Sequence, residues 1–409
     1  MTRKGQIVAL ALAVTAATFL AWRLLRPLHT FAVADAFAHP LATPANVSPG
    51  ALSAKTCGAC HADFYAEWST SMHARAWTDP YFQVDFRYDG SLPVCKNCHI
   101  PLDRQQEQLV LGFRDDERFD PILAPNPAFS PELQSEGVTC AACHLRGGQI
   151  AGPLGTAAAA HPVTPMGDPN ETCIRCHVVG GRRWDAFYRL PPCGTVAEIR
   201  DTAGGSTAGA DQAELFARDA ASLGCVRCHM PPVERTLVPG GTSRPARRHW
   251  WRGGHSPDMV RSGLAVDFDA QQGICPTPEL TLSVTNVGAD HYLPTGTPDR
   301  MLTLAISLYD AAGAEVETRR QTLERTILWR PFIFDLWDTR LRKGQTVRLH
   351  LKPRCGSMKR AVAVEAMVRY HLVGERRRRK IGYQNNHEMV AFDVFRQRVS
   401  LEQGQPAPR

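Results

Sequence analysis

Cys57-Gly58-Ala59-Cys60-His61 is the first of five copies of the pattern Cys-x-x-Cys-His. The other copies are Cys95-Lys96-Asn97-Cys98-His99, Cys140-Ala141-Ala142-Cys143-His144, Cys173-Ile174-Arg175-Cys176-His177 and Cys225-Val226-Arg227-Cys228-His229. With 13 Cys and 15 His among 409 residues, chance predicts the pattern roughly 0.015 times. We therefore infer that one chemical function is used five times along the chain.

The spacing within each copy fits covalent haem attachment. Two cysteines three positions apart on a helical turn reach the two vinyl groups of one haem, and the next residue supplies imidazole below the iron. Zinc is the main alternative, but zinc sites usually combine two cysteine pairs and need no His directly after the second Cys. The sequence thus predicts five covalently attached haem c groups with the proximal ligands His61, His99, His144, His177 and His229.

The density of these motifs predicts an unusual core. All five lie between residues 57 and 229, which leaves too little apolar sequence for a conventional core. We expect a helix- and loop-rich domain in which haems pack against one another and against nearby aromatic residues, namely Phe64, Tyr65, Trp68, Trp77, Tyr81 and Phe82. Closely packed haems would exchange electrons quickly.

Ten histidines outside the motifs are candidates for the sixth iron position, where a second imidazole closes the iron and keeps its potential low. For each, the alternative is an ordinary solvated or surface histidine. His387 is a weaker candidate, and His29 and His39 lie in a linker where we expect them to be free. The predicted distal ligands are His73 on a helical stretch, His161 before the fourth motif, His249 and His255 around an aromatic and glycine segment, and His291 in a loop after the first β strand.

Several of these segments resemble a known superfamily. The stretch from Cys57 to His73, with Tyr65, Trp68 and Ser71, is similar to the opening motif of the tetrahaem cytochromes c of nitrifying bacteria, which share a haem arrangement with octahaem hydroxylamine oxidoreductase and pentahaem nitrite reductase. The resemblance, which covers about residues 55–300, implies distal roles for His73 and His161. No Cys-x-x-Cys-Lys motif occurs, so the Lys-ligated catalytic haem of the nitrite reductase has no counterpart.

The N-terminus predicts a membrane-targeting helix. An uncharged apolar run from Gln6 to Trp22 is flanked by Arg3, Lys4, Arg23 and Arg26. Its length is just sufficient to span a bilayer, and basic residues after the run favour an uncleaved anchor. A signal sequence cleaved after Ala34 is the alternative. Because haem c is attached outside the cytoplasm, we expect the remainder on the periplasmic side of the inner membrane.

The C-terminal part predicts an antiparallel β-sandwich. Period-two alternation occurs in residues 280–285, 301–309, 346–351 and 361–370, with turn signals between them. The expected organisation is an anchor at 1–26, a linker at 27–52, a pentahaem domain at 53–270, a β domain at 271–400 and a tail at 401–409. Outside the motifs, Cys275 and Cys355 are expected to form a disulfide, with Cys193 left over.

The charge balance does not indicate nucleic-acid binding. The formal net charge is +7, and haem propionates would remove roughly five units. The run Arg376–Lys380 is expected to be a solvated loop, with docking to an acidic redox partner or anionic lipid as the alternative. We expect an electron carrier that serves redox partner proteins. Two alternatives stay open: an oxidoreductase with one open haem acting on a small nitrogen or sulfur compound, and a subunit of a larger homo- or hetero-oligomeric complex or filament.

Overall fold

The structure, a computed structural model, describes most of the chain. The described residues are 3–25, 32–33, 38–115, 118, 120–153, 161–177, 189–190, 194–202, 223–270, 273, 278–328, 334–384 and 389–401. Helix α1 (Arg3–Leu25) is long, and its apolar window, Arg3–Ala21, has a mean hydropathy of 1.6 with no part buried. Both a membrane anchor and a signal sequence have these properties.

Short helices carry the motifs and their flanks. They are α2 (Ala54–Gly58), α3 (Ala62–Ser69), α4 (Pro80–Tyr88), α5 (Pro93–His99), α6 (Pro131–Ser135), α7 (Cys140–His144), α8 (Asn170–His177), α9 (Thr195–Thr202) and α10 (Cys225–His229). Local sequence sets several of these starts. At α4, for example, Asp79 accepts a hydrogen bond from the Phe82 amide at 2.8 Å and Pro80 occupies the first helical position. An acidic cap followed by proline is a strong signal for a helix start.

Small strand pairs connect these helices. They are formed by β1 (Ala32–Val33), β2 (Gln108–Phe113), β3 (Pro121–Pro125), β4 (Leu145–Arg146), β5 (Gln149–Gly152), β6 (Val163–Pro165), β7 (Arg189–Leu190), β8 (Pro232–Thr236) and β9 (Ser243–Arg247). The hairpins β2–β3 and β8–β9 are antiparallel, while β5 pairs with β6 in parallel. The motif region is therefore richer in strands than the helix-and-loop expectation.

Two antiparallel sheets make up the C-terminal part. The first has the order β10 (Leu264–Asp269), β11 (Leu280–Asn286), β15 (Thr346–Leu351). The second has the order β14 (Phe334–Asp338), β13 (Glu315–Leu328), β12 (Met301–Tyr309), β16 (Ala363–His371), β17 (Ala391–Ser400). The other elements are α11 (Pro257–Ser262), α12 (Cys355–Arg360) and α13 (Glu375–Ile381). Antiparallel sheets in this part agree with the prediction.

One hydrophobic core lies between these sheets. Leu282 of the first sheet and Leu304 and Val364 of the second are fully buried in the same cluster. The described residues of the motif region instead contain several small apolar clusters, such as Ile174, Val196 and Leu223. Among the described residues, a conventional apolar core therefore occurs only where no motif lies; that haem supplies the core of the motif region stays a prediction.

Three details differ from the sequence-based expectations. Strand β10 begins at Leu264, before the expected boundary at residue 271, and pairs along its whole length with β11. Part of the expected linker is packed, since Leu52 is buried and Thr43 donates to Asp103 at 2.6 Å. The basic run is a helix, α13, rather than a loop, because Arg377 reaches Asp85 of α4 at 2.6 Å and fixes it there.

Cys355 is disulfide-bonded. Its expected partner Cys275 lies outside the described residues, as do Cys193, His29 and His387.

Candidate haem centres

Each motif forms roughly one helical turn. In motifs two to five the histidine is the last residue of its helix, at His99, His144, His177 and His229. In the first motif α2 ends at Gly58 and His61 precedes α3. Cysteines three positions apart on such a turn lie on the same side of the helix. This is the arrangement that two thioether bonds to one porphyrin require.

Four motif histidines face a second imidazole in the described part of the chain. The ring-centre separations are 6.2 Å for His61–His161, 6.3 Å for His73–His177, 6.1 Å for His144–His249 and 6.4 Å for His229–His291. A metal about 2.0 Å from each Nε2 places two opposed imidazole centres about 6.3 Å apart. Each pair therefore has the spacing that one iron atom between two imidazoles needs.

Hydrogen bonds fix which ring nitrogen is available for iron. Nδ1 of His61 lies 2.9 Å from the Leu237 carbonyl, and Nδ1 of His144 lies 2.8 Å from that of Ala151. A carbonyl oxygen only accepts, so Nδ1 must carry the proton and Nε2 presents its lone pair, as in metal-binding histidines generally. The same contact occurs at His99 with Ala76, His229 with Arg252, His249 with Arg247 and His291 with Tyr292, at 2.6 to 2.9 Å.

Burial keeps the rings neutral. Desolvation, together with the smaller effect of neighbouring histidines, lowers the pKa of His73 to about 3 and that of His249 to about 4. The pKa values of His144, His177 and His229 are lowered as well, mainly by burial. Neutral imidazole is the form that binds iron, so ligation by these rings requires no deprotonation near pH 7.

His99 and His255 are in none of the four pairs. The His99 ring stacks face to face on Phe82, with ring centres 3.6 Å apart and planes 10° from parallel. His255 lies near Arg300 and Arg75; burial and, to a smaller extent, these two cations lower its pKa to about 3. The second motif thus has a proximal histidine held on one face by an aromatic ring, without a facing imidazole among the described residues.

A buried carboxylate holds the segment that carries His249. Glu67 of α3 accepts hydrogen bonds from Arg235, from Arg248 at 2.7 Å and from the His249 amide at 2.8 Å. Burial alone would raise the pKa of Glu67, but these hydrogen bonds bring it below its ordinary value. Glu67 thus joins α3, which follows the first motif, to His249, whose ring is paired with His144 of the third motif. The sequence offered no signal for this role, because a lone Glu in a helix is usually solvated.

The position of His73 differs from expectation. Helix α3 ends at Ser69, and His73 lies in the turn that follows. Its carbonyl accepts from the Val138 amide at 2.9 Å, and Gly137 lies so close that an added Cβ would be 2.6 Å from that carbonyl oxygen. A tertiary contact 64 residues away in sequence therefore fixes the turn.

The thiols show which motifs are neighbours. Cys57 of the first motif hydrogen-bonds Cys140 of the third, Cys176 of the fourth hydrogen-bonds Cys98 of the second, and Cys173 of the fourth hydrogen-bonds Cys225 of the fifth. Cys143 and Cys176 also interact electrostatically, which links the third and fourth motifs. The first motif therefore adjoins the third, and the third adjoins the fourth. The second and fifth motifs both adjoin the fourth as well.

Comparison with known proteins gives one partial family match and one similar fold. The family described as cytochrome c554 and c-prime matches residues 56–117, which contain the first two motifs. The fold is similar to the crystal structure of a penta-heme cytochrome c552 from Thermochromatium tepidum, with a TM-score of 0.60 and 19% sequence identity, over 87% of this chain and 100% of that chain. No curated protein matches the sequence.

Proposed function

We propose that this multihaem c-type cytochrome carries five haem c groups and relays electrons through them to a redox partner on the periplasmic side of the membrane. When bound, each haem supplies an iron that alternates between Fe(III) and Fe(II). The observation that carries the proposal is the set of four imidazole pairs at 6.1 to 6.4 Å, each containing one motif histidine.

The chain's own residues have three tasks in this function. The cysteines would hold each porphyrin at a fixed place, and in the four paired motifs the second imidazole would close the iron to small molecules. Carbonyl partners of Nδ1 keep six of the rings in one orientation, so little rearrangement would be needed there when the iron changes charge. Because every motif has a neighbouring motif in thiol contact, an electron arriving at one haem has a short step to the next.

Haem counting and potentiometry test the proposal together. Protein matured in a host that attaches haem c should contain five haems per chain by pyridine haemochrome, and intact-mass spectrometry should give the same number. A redox titration should take up five electrons per chain, most of them at low potential as expected for two imidazole ligands. Bare thiols at any motif, or bound zinc, would overturn the attachment claim.

A second candidate function follows from His99. Since this histidine is outside the imidazole pairs of the described residues and contacts Phe82, the haem of the second motif would be open for a small nitrogen or sulfur compound. Cyanide or nitric oxide should then bind the isolated protein at one site per chain, with loss of a high-spin signal. Protein in which all haems are low-spin and fail to bind cyanide would exclude this second function and leave the relay intact.

A further inference from the structure

The loop carrying His291 has an anchor in the motif region. His291 lies between β11 and β12, and its Nδ1 donates to the carbonyl of its own neighbour Tyr292 at 2.8 Å. Because the Tyr292 carbonyl orients the His291 ring, the orientation of the ring is only as fixed as Tyr292 itself. The position of this imidazole opposite His229 therefore depends on what fixes Tyr292.

Glu198 of α9 provides that support. Its Oε2 accepts from the Tyr292 amide at 3.2 Å and from the Thr295 hydroxyl at 2.6 Å. These contacts lie on both sides of the loop's proline and join parts of the chain 94 and 97 residues apart. The carboxylate thus holds the loop on the C-terminal side of His291.

Arg340 completes the anchor from the β sheets. It donates to Glu198 Oε1 at 2.5 Å and to the Pro294 carbonyl at 3.2 Å, and its guanidinium lies 5.1 Å from the Tyr292 ring centre. Asp338 holds the other side of the guanidinium, at 2.6 and 2.8 Å. The side chains of Arg340 and Glu198 are only 5% and 6% exposed. Removing either charge would therefore leave the other buried without its partner, which is strongly destabilising.

A second contact strengthens the same link. The Tyr292 hydroxyl donates to Asp201, also on α9, and Arg342 forms an ion pair with Asp201 at 3.5 Å. Glu198 and Asp201 of one helix therefore both contact the segment that follows His291, at Tyr292 and Thr295, and each also pairs with an arginine, Arg340 or Arg342, between the strands β14 and β15. None of these groups lies in a haem-attachment motif, and their shared target is the His291 loop.

We propose that Glu198 and Arg340 are positioning residues for His291, and that their ion pair keeps the haem of the fifth motif six-coordinate. The inference rests on the proposed function, because it requires haem at that motif. It goes further by assigning the ligation state of one haem to an ion pair between the motif region and the β sheets. Loss of the pair should release the loop and open the distal face of that iron.

The test compares Glu198→Gln with His291→Ala. His291→Ala identifies the signal of this haem, since one low-spin haem per chain should become high-spin and free imidazole should restore the low-spin signal. Glu198→Gln keeps the size of the side chain but removes its charge, so a fraction of the same haem should become high-spin. The reduced variant should also bind carbon monoxide at one more site per chain than the wild type. The haem count should stay at the wild-type value in both variants.

Glu365→Gln is the matched control, because Glu365 is a largely buried carboxylate paired with Arg396 at 2.7 Å in the same sheets but contacts no ligand loop. It should leave all haem signals unchanged.

If Glu198→Gln does not fold, Thr295→Val removes only the hydroxyl that donates to Glu198 and should raise the carbon monoxide binding of the same haem. Wild-type spectra, ligand binding and potentials in the folded Glu198 or Thr295 variant would overturn the proposal, whereas a low haem count in the wild type would overturn the proposed function instead.

Discussion

His73 and His177 form one of the four imidazole pairs, and both their spacing and the neutral state of His73 need a physical reason. Their rings are 6.3 Å apart, and burial keeps the pKa of His73 near 3. Neither the spacing nor the neutral state has a purpose in an ordinary protein core, where a buried histidine usually hydrogen-bonds a polar group. The proposed function accounts for both, since one iron atom would lie between the rings.

Replacing His73 with Ala should therefore convert one haem per chain from low-spin to high-spin and raise its potential, because the iron loses its second imidazole. Electron paramagnetic resonance and a redox titration measure the two effects. His39→Ala is the control, since His39 contacts Phe113 edge-on at 5.4 Å and faces no motif histidine. An unchanged spin state in His73→Ala would remove His73 from the ligand set.

The turn after α3 is positioned by a segment just before α7. Gly137 has a positive φ of 62°, and a Cβ there would be 2.6 Å from the His73 carbonyl oxygen and 3.0 Å from the Ala76 amide nitrogen. Both neighbours are backbone atoms, which yield less easily than a side chain. The loop geometry therefore requires glycine at this position.

We expect Gly137→Ala to destabilise the holoprotein by at least about 1 kcal/mol, through backbone strain and displacement of the His73 turn. Thermal unfolding gives the stability, and the low-spin signal reports the turn. Gly112→Ala makes a suitable comparison, because nothing lies within 4 Å of an added Cβ and its φ is ordinary. Equal melting temperatures for the two variants would contradict the strain argument.

Helices α4 and α13 join the motif region to the β sheets through Arg377, which contacts Asp85 at 2.6 Å and Asp299 at 3.7 Å. The pKa of Asp85 is raised to about 6, because burial raises it, Asp89 and Asp299 add to this effect, and Arg377 opposes it only in part. In the unfolded chain an aspartate has a pKa of about 3.9. Since the folded state binds this proton more tightly, its contribution to stability is present below about pH 4 and is lost as the pH rises through 6.

Asp85→Asn should therefore flatten the fall in melting temperature between pH 4 and pH 7. The measurement is thermal unfolding at several pH values in one ionic strength. Asp120→Asn serves as the control, since Asp120 forms an exposed pair with Arg114 at 2.9 Å. If Asp85→Asn keeps the wild-type slope, another group governs this pH dependence.

The molecule combines two kinds of interior. The β sheets share a continuous apolar core that includes Leu282, Leu304 and Val368, whereas the described motif region has only small apolar clusters. The proposed haems would supply the packing that the described motif region lacks, whereas the β sheets pack around apolar side chains. Helix α1 stands outside both, with its apolar side chains exposed.

We expect the full-length protein to sediment with membranes and to resist alkaline carbonate extraction, because α1 is long enough to span the bilayer. A variant in which residues 1–26 are replaced by a cleavable signal should be soluble with its haem content unchanged. N-terminal sequencing of the mature wild-type protein decides the outcome. A mature chain that begins after Ala34 would show cleavage and rule out the anchor.

The sequence by itself predicted the attachment chemistry and the antiparallel sheets of the C-terminal part. Five Cys-x-x-Cys-His motifs predict haem c locally, because both thiols and the proximal imidazole lie within five consecutive residues. Period-two alternation predicted β11, β12, β15 and β16 nearly to the residue, since a strand with one buried face alternates apolar and polar residues along its sequence. Thus the local rules needed no knowledge of distant contacts.

Tertiary structure decided how the motifs meet and what holds their second ligands. The order first, third, fourth, with the second and fifth both beside the fourth, comes from thiol contacts such as Cys98–Cys176, which no spacing encodes. The contacts of Glu67 and Glu198 could not be predicted from the sequence either, because a carboxylate positions a distant segment only after that segment has folded against it. These features depend on long-range packing, and a pattern within one segment does not contain that information.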